Sequence, residues 1–105
     1  MTFEELVEKA KEIAEKTDVS QVEDMAVQLI VSGKEPGSFY VEVKDHKTTI
    51  GTGICRKPDS EVTMSLSDMA LFLDGKLNPM MAYFSGRLKP KGDLGKLMVF
   101  SSLFG

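Results

Sequence analysis

Two residue types that commonly catalyse reactions or bind metal ions occur once each in this sequence, as His46 and Cys55. Together they cannot supply the four ligands of a structural zinc site. A hydrolase of the usual kind needs a nucleophile, a base and an orienting group. His46 falls in a polar turn, and Cys55 falls in a predicted strand with no base near it in sequence, which favours a small buried apolar role. The sequence does not exclude catalysis by carboxylates, but no feature of it singles out a pair of Asp or Glu side chains. We predict no catalytic residue, metal ion or cofactor.

The glycines at Gly51 and Gly53 have the spacing that opens a dinucleotide-binding loop. The third glycine of that motif is missing, because its position is held by Arg56. The pair also falls inside a predicted strand instead of between a strand and a helix. Close backbone packing or a bulge is therefore the better interpretation of these glycines.

The charge balance argues against a nucleic-acid partner. The chain carries 13 Lys and Arg against 16 Asp and Glu, for a net charge of −3. A nucleic-acid-binding domain usually has a basic balance or a basic face. A short basic cluster at Arg87, Lys89, Lys91 and Lys96 is more typical of a solvated surface.

The first part of the chain predicts one helix followed by four strands. Residues 3–16 have apolar residues at helical spacing, and Thr2 with Glu5 forms a capping box at their start. Alternating apolar residues then predict strands over 24–31, 39–44, 48–54 and 62–66. Strands joined by such short loops must be mostly antiparallel, because a parallel crossover usually needs a dozen or more residues.

The last part of the chain predicts short helices. Ser67 is expected to cap a helix that ends at Gly75, and Asn78 to cap a helix over 79–85 that begins with Pro79. A short strand is expected at 87–91, at a sheet edge because Pro90 cannot donate a ladder hydrogen bond. Asp93 then caps a last helix. The order of these elements predicts a single α+β domain over residues 1–105.

Large, flexible apolar side chains are concentrated between residues 64 and 104, and the chain has seven Met and six Phe. We expect twelve of them to face one sheet. They form either an ordinary core or the lining of an apolar cavity that short, interrupted helices leave open for a lipid. The twelve are Met64, Met69, Phe72, Leu73, Leu77, Met80, Met81, Phe84, Leu97, Met98, Phe100 and Phe104.

Four segments of the sequence resemble the sterol carrier protein type 2 family. They are Val62–Asp68, Leu73–Pro79 with its G-K-L-N-P stretch, Ala82–Lys89, and Gly92–Gly95. The resemblance is dense over residues 61–99 and looser over 1–60, and the chain has about the length of one such domain. Two features depart from the family pattern: Pro90 replaces a β-branched residue, and the ending Leu103-Phe104-Gly105 is not a peroxisomal signal.

This resemblance implies a five-stranded sheet covered by helices that enclose an apolar tunnel. It also implies non-enzymatic binding of sterols, fatty acids or fatty acyl-CoAs. Several members of the family transfer such lipids between membranes, so the resemblance implies lipid transfer and transient membrane contact as well. The alternative is a structural, dimerising or substrate-presenting module for a partner enzyme, and a homodimer stays open. We expect a cytoplasmic location, because no apolar run reaches the roughly 20 residues of a membrane span and no basic secretory leader is present.

Overall fold

Five strands form one sheet in the computed structural model, which describes residues 1–104. Their spatial order is β3-β2-β1-β4-β5, and every neighbouring pair is antiparallel except β1 and β4. The predicted α+β class and mostly antiparallel sheet are confirmed. The strands are β1 (Met25–Ser32), β2 (Gly37–Lys44), β3 (Lys47–Thr52), β4 (Ser60–Ser65) and β5 (Lys89–Gly92).

Four helices accompany the sheet, and their starts follow capping residues. The predicted capping box of the first helix is present, with the Thr2 hydroxyl accepting from the Glu5 amide at 3.1 Å. The second helix begins earlier than expected, because Ser65 and not Ser67 accepts from the Asp68 amide, at 3.2 Å. The helices are α1 (Phe3–Lys16), α2 (Leu66–Leu73), α3 (Pro79–Phe84) and α4 (Leu94–Phe104).

The helices pack on the face of the sheet to which Val27, Leu29 and Val31 of β1 point. Alternation along β1 requires these side chains to share one face. They meet buried residues of the helices, among them Leu6 of α1 and Phe72 of α2. The main core therefore lies between the sheet and the helices.

The opposite face of β1 is covered by the connection between β3 and β4. These two strands run in the same direction as β1, so the chain must return across the sheet before β4 begins. Residues 53–59 make this return without a helix. The Gly53 amide donates to the Ser38 carbonyl at 2.8 Å, and the Asp59 amide donates to the Ala26 carbonyl at 2.8 Å. The third strand accordingly ends at Thr52, two residues before the predicted end.

Gln28 holds the middle of this connection. Its side chain is 1% exposed. The side-chain amide group donates to the carbonyls of Phe39 and Gly53, at 3.0 and 2.9 Å, and its oxygen accepts from the Cys55 amide. Both polar atoms of the buried Gln28 side chain are thereby hydrogen-bonded, which offsets most of the free-energy cost of removing them from water.

The two glycines that resembled a cofactor loop have different structural roles. A Cβ atom at Gly51 would lie 2.3 Å from the ring of Tyr40, which is its register partner on β2. Gly53 has a φ of +92°, a backbone conformation that side chains disfavour. Close packing therefore explains Gly51, whereas Gly53, around which a Cβ atom would meet open space, is explained by its backbone conformation.

We predict that Gln28→Leu destabilises the protein by about 3 kcal/mol, because it leaves buried backbone groups without hydrogen-bond partners. Urea unfolding followed by circular dichroism measures the change. Gln21→Leu, at an exposed position, is the matched control and should change stability by less than about 0.5 kcal/mol. Equal stabilities of the two variants would show that the Gln28 hydrogen bonds do not hold the connection.

Candidate functional site

A cavity of about 400 Å³ lies between α3, α4 and the edge of the sheet formed by β4 and β5. Nearly all of its wall is apolar. The lining residues are Val62, Phe72, Asn78, Pro79, Met80, Tyr83, Leu88, Pro90, Leu94, Leu97, Met98, Ser101 and Ser102.

The cavity has a buried floor and an exposed mouth. Val62, Phe72 and Leu88 are buried, and Val62 lies opposite Pro90 in the register of β4 and β5. At the mouth, Met80 and Met98 are exposed by 56% and 67%. The cavity therefore extends from exposed side chains at the surface to buried side chains of the core.

The polar groups of the wall are few and partly occupied. The Asn78 side-chain oxygen accepts from the Met81 amide at 3.1 Å, and the Ser102 hydroxyl donates to the Val99 carbonyl at 2.8 Å. Tyr83 is the one titratable side chain among the residues that line the cavity. The polar side chains of the wall are thus one phenol, one amide and two hydroxyl groups, from Tyr83, Asn78, Ser101 and Ser102.

Capping at both ends fixes α3, which forms one side of the mouth. Asn78 caps its start and Pro79 occupies its first position, as predicted. At its end Gly86 has a φ of +80°, and the Arg87 amide donates to the Ala82 carbonyl at 2.8 Å. This is a Schellman motif, which turns the chain sharply toward β5.

An ion pair joins the end of α3 to the start of α2. The guanidinium of Arg87 donates to both oxygens of Asp68, at 2.6 and 3.2 Å. The hydrogen bond from Arg87 is the largest cause that holds the pKa of the Asp68 carboxyl below its ordinary value. The pair fixes the segment that leads from α3 to the cavity floor.

A second ion pair fixes the start of α4. Lys96 donates to Asp59 at 3.1 Å, and the Asp93 side chain accepts from the Lys96 amide at 3.0 Å, so Asp93 caps α4 as predicted. Desolvation raises the pKa of the Asp59 carboxyl, but hydrogen bonds from Ala26 and Lys96 and the charge of Lys96 outweigh it, so the net pKa is lowered. This carboxylate links α4 to β1 and to the connection before β4.

The twelve apolar residues singled out in the sequence lie in different places. Leu77 is half-buried against the core. Met81 and Phe84 lie outside the cavity with 70% and 78% of their area exposed, and so do not face the sheet. Four of the twelve line the cavity: Phe72, Met80, Leu97 and Met98. Five are buried in the core: Met64, Met69, Leu73, Phe100 and Phe104.

The shortness of α3 explains this difference. The helix has six residues, and Ala82 is the buried one. A small residue at the inward position leaves the larger side chains along the wall or on the outer surface. Sequence reasoning also missed Val62, Pro90 and Leu94, which join the wall because β4, β5 and α4 meet there.

Cys55 and His46 lie away from the cavity. Cys55 is buried, in the connection after β3, and His46 is exposed in the β2–β3 turn with a φ of +63°. Within residues 1–104, three or more His, Cys, Asp and Glu side chains never gather in a group that could hold a metal ion. None of the helices in the same range has the length and apolar character needed to cross a bilayer.

A model of the SCP-2 sterol transfer family matches residues 3–105. The chain belongs to this family. The SCP-2 family is one of lipid binding and lipid transfer, and its domain is generally not an enzyme. The resemblance found in the sequence is confirmed, and the apolar cavity agrees with the family.

Two relatives illustrate the range of SCP-2 proteins. The chain is 34% identical over 79 residues to hydroxysteroid dehydrogenase-like protein 2 of Xenopus tropicalis, which covers 74% of this chain and 19% of that protein. It is 30% identical over 105 residues to sterol carrier protein 2 of Gallus gallus, which covers 98% of this chain and 19% of that protein. The chain thus spans about a fifth of the length of these relatives.

Solved structures share the SCP-2 fold. The solution structure of palmitated SCP2L2 from Aedes aegypti superimposes with a TM-score of 0.75 at 24% identity, over 97% of this chain and 93% of that one. The sec-alkylsulfatase Pisa1 from Pseudomonas sp. gives a TM-score of 0.78 at 20% identity, over 90% of this chain and 15% of that one. At these identities the likeness establishes the fold.

We predict that Asn78→Ala destabilises the protein by about 1 kcal/mol, because the Met81 amide loses its capping partner. Loosening α3 should also weaken the binding of a fatty acid to the cavity. Urea unfolding and a fluorescence titration measure the two effects. If both quantities stay at the wild-type value, Asn78 neither caps α3 nor positions the mouth.

The Asp68–Arg87 pair predicts a specific acid dependence of stability. Because folding lowers the pKa of Asp68, the pair stabilises the protein above the ordinary value of 3.8, and this contribution is lost as the pH falls through the lower folded-state pKa. In the wild-type protein the urea concentration at the unfolding midpoint should decrease as the pH falls through this range. In Asp68→Asn this decrease should be smaller. Arg87→Gln should remove most of the same part of the decrease, since Ser65 also lowers the pKa of Asp68, and the double variant should remove no more than Asp68→Asn alone. Unchanged acid profiles of both single variants would contradict the assignment.

Proposed function

We propose that this chain binds one long-chain lipid, such as a fatty acid, a fatty acyl-CoA or a sterol-like molecule, in the cavity between α3, α4 and the β4–β5 edge. The observation that carries the proposal is an apolar cavity with a buried floor and an open mouth. Membership of a lipid-binding family supports it. The polar group of the lipid would stay at the mouth, in contact with water.

The size of the cavity suits such a ligand. Its volume of about 400 Å³ lies in the range of roughly 300–1,000 Å³ that is common for small-molecule sites. Each methylene group buried there contributes about 0.8 kcal/mol. About fifteen such groups give about 12 kcal/mol, of which about 4 kcal/mol offsets the freedom lost on association. The remaining ~8 kcal/mol corresponds to a roughly micromolar Kd.

The side chains of the wall favour a tolerant site over a selective one. Met80 and Met98 are flexible and polarisable, and such side chains adapt to ligands of different shape. Tyr83 and Ser101 are two hydroxyl-bearing residues of the wall that could orient a carboxylate or a hydroxyl group. We therefore propose binding of several acyl lipids with similar affinity.

A second candidate function is the presentation of a lipid substrate to an enzyme. It is favoured by the length of the relatives, because the part that corresponds to this chain covers 19% of the dehydrogenase-like protein and 15% of Pisa1. In such proteins the domain is joined to a longer polypeptide. Transfer of lipid between vesicles by this chain alone would favour a carrier over a presenting module.

We predict that a fluorescent fatty acid binds the protein with a roughly micromolar Kd and raises its melting temperature. Ser101→Phe should weaken this binding by about tenfold or more, because a bulky side chain at a half-buried position of the wall fills the cavity. Fluorescence titration and thermal unfolding measure the two quantities.

The matched control is Ser20→Phe, at an exposed position remote in sequence from the cavity lining. It should bind the fatty acid like the wild-type protein. No binding and no thermal shift at saturating fatty acid would overturn the proposed function. Equal weakening by both Phe variants would place the binding site elsewhere.

A further inference from the structure

The outer surface of α3 is unusually apolar for a surface helix. Met81 and Phe84 do not line the cavity, yet they are 70% and 78% exposed. Met80 and Tyr83 of the same helix are also exposed, and the rings of Tyr83 and Phe84 lie 5.5 Å apart. Large apolar side chains gathered on a surface commonly mark a contact with a partner or a membrane.

This surface continues onto α4 around the mouth of the cavity. Leu94 and Met98 of α4 are exposed, and they line the mouth together with Met80 and Tyr83. We name these six residues the α3–α4 patch: Met80, Met81, Tyr83, Phe84, Leu94 and Met98. Whatever covers the patch also covers the entrance of the cavity.

The charge distribution indicates what kind of surface the patch meets. Residues 77–86 contain no charged side chain, and Lys76 precedes them while Arg87 and Lys89 follow. Residues 76–105 carry five basic side chains and one acidic side chain, whereas residues 1–75 carry eight basic and fifteen acidic ones. Arg87 and Lys96 are already paired with Asp68 and Asp59. The exposed basic side chains of this segment that make no ion pair within residues 1–104 are Lys76, Lys89 and Lys91. The patch therefore has three unpaired lysines close to it in sequence.

The fold separates the basic segment from the acidic helix. Helix α1, with five glutamates, packs over β3, whereas α4 packs over β4 and β5. Since β3 and β5 are the two edges of the sheet, the two helices lie toward opposite edges of the same face, and they touch each other between those edges. A negatively charged surface would attract the side that carries the patch and repel the other.

We propose that the α3–α4 patch docks on an anionic lipid bilayer and sets the mouth of the cavity against it. Apolar and aromatic side chains enter the interface between headgroups and acyl chains, and the flanking basic residues contact lipid phosphates. Docking itself does not depend on the proposed lipid binding. Its consequence does rest on the proposed function: a lipid would pass between the bilayer and the cavity without crossing water.

A bilayer fits the patch better than a second copy of the chain. A stable protein interface buries roughly 800 Å² per partner, with about 20–30 residues on each side. The patch has six residues on two short helices, and basic residues flank it in both copies. Two like-charged surfaces repel each other, whereas an anionic bilayer attracts both.

The test is flotation of the full chain with vesicles of phosphatidylcholine that contain about 30% phosphatidylglycerol. The double variant Met81→Glu, Phe84→Glu should reduce the bound fraction by about tenfold or more, because two exposed apolar contacts become negative charges. The control is Ile54→Glu, a similarly exposed apolar residue, 76% accessible, in the connection on the other face of the sheet. It should float like the wild-type protein.

A second measurement separates this proposal from the proposed function. Because Met81 and Phe84 do not line the cavity, the uncharged double variant Met81→Ser, Phe84→Ser, which adds no negative charge near the mouth, should also lose flotation but should bind a soluble fluorescent fatty acid with wild-type affinity. Failure of the wild-type protein to bind that fatty acid would overturn the proposed function and leave the docking proposal standing if the vesicle results hold.

Three results would overturn the docking proposal. They are no flotation of the wild-type protein, equal flotation of either double variant, and a wild-type dimer in solution that either double variant converts to a monomer. The last result, measured by light scattering after size exclusion, would show that a second copy covers the patch. Equal binding to neutral and anionic vesicles would overturn the role of the basic residues.

Discussion

The connection between β3 and β4 determines how the rest of the chain is arranged, and the buried side chain of Gln28 holds it in place. A parallel crossover normally uses a helix, but here residues 53–59 cross the back of the sheet in an irregular path. Gln28 binds Phe39, Gly53 and Cys55 through its three hydrogen bonds. The strand β4 can then lie parallel to β1, and α2 follows it directly on the helical face.

The cavity follows from this arrangement and from the shortness of the last elements. Helix α3 has six residues and β5 has four, so neither covers the β4–β5 edge completely. The caps at Asn78 and Gly86 keep α3 folded although it buries little apart from Ala82. Stability and an open apolar space are therefore compatible, because hydrogen bonds at the helix ends replace part of the packing that a filled core supplies.

The apolar mouth has opposing consequences for the protein. Exposed side chains such as Met80 and Met98 give a ligand access to the buried floor at Val62 and Phe72. The same exposure costs solubility unless a lipid or a membrane surface covers it. Under the docking proposal, the basic residues next to the apolar segment reduce this cost, since their charge would keep the free protein in water and would also favour contact with anionic lipids.

The sequence by itself determined the order of the elements, the capping residues of α1, α3 and α4, and the family. These features depend on local spacing, such as Thr2 with Glu5 or Asn78 with Pro79, which acts through nearby backbone groups. Only the tertiary structure decided that Gln28 is buried and that Met81 points outward. Whether a side chain is buried depends on which other segments of the chain cover it. The spacing of apolar residues along a strand or a helix cannot reveal that a connection crosses the sheet over Gln28, nor that the inward residue of a six-residue helix is a small one.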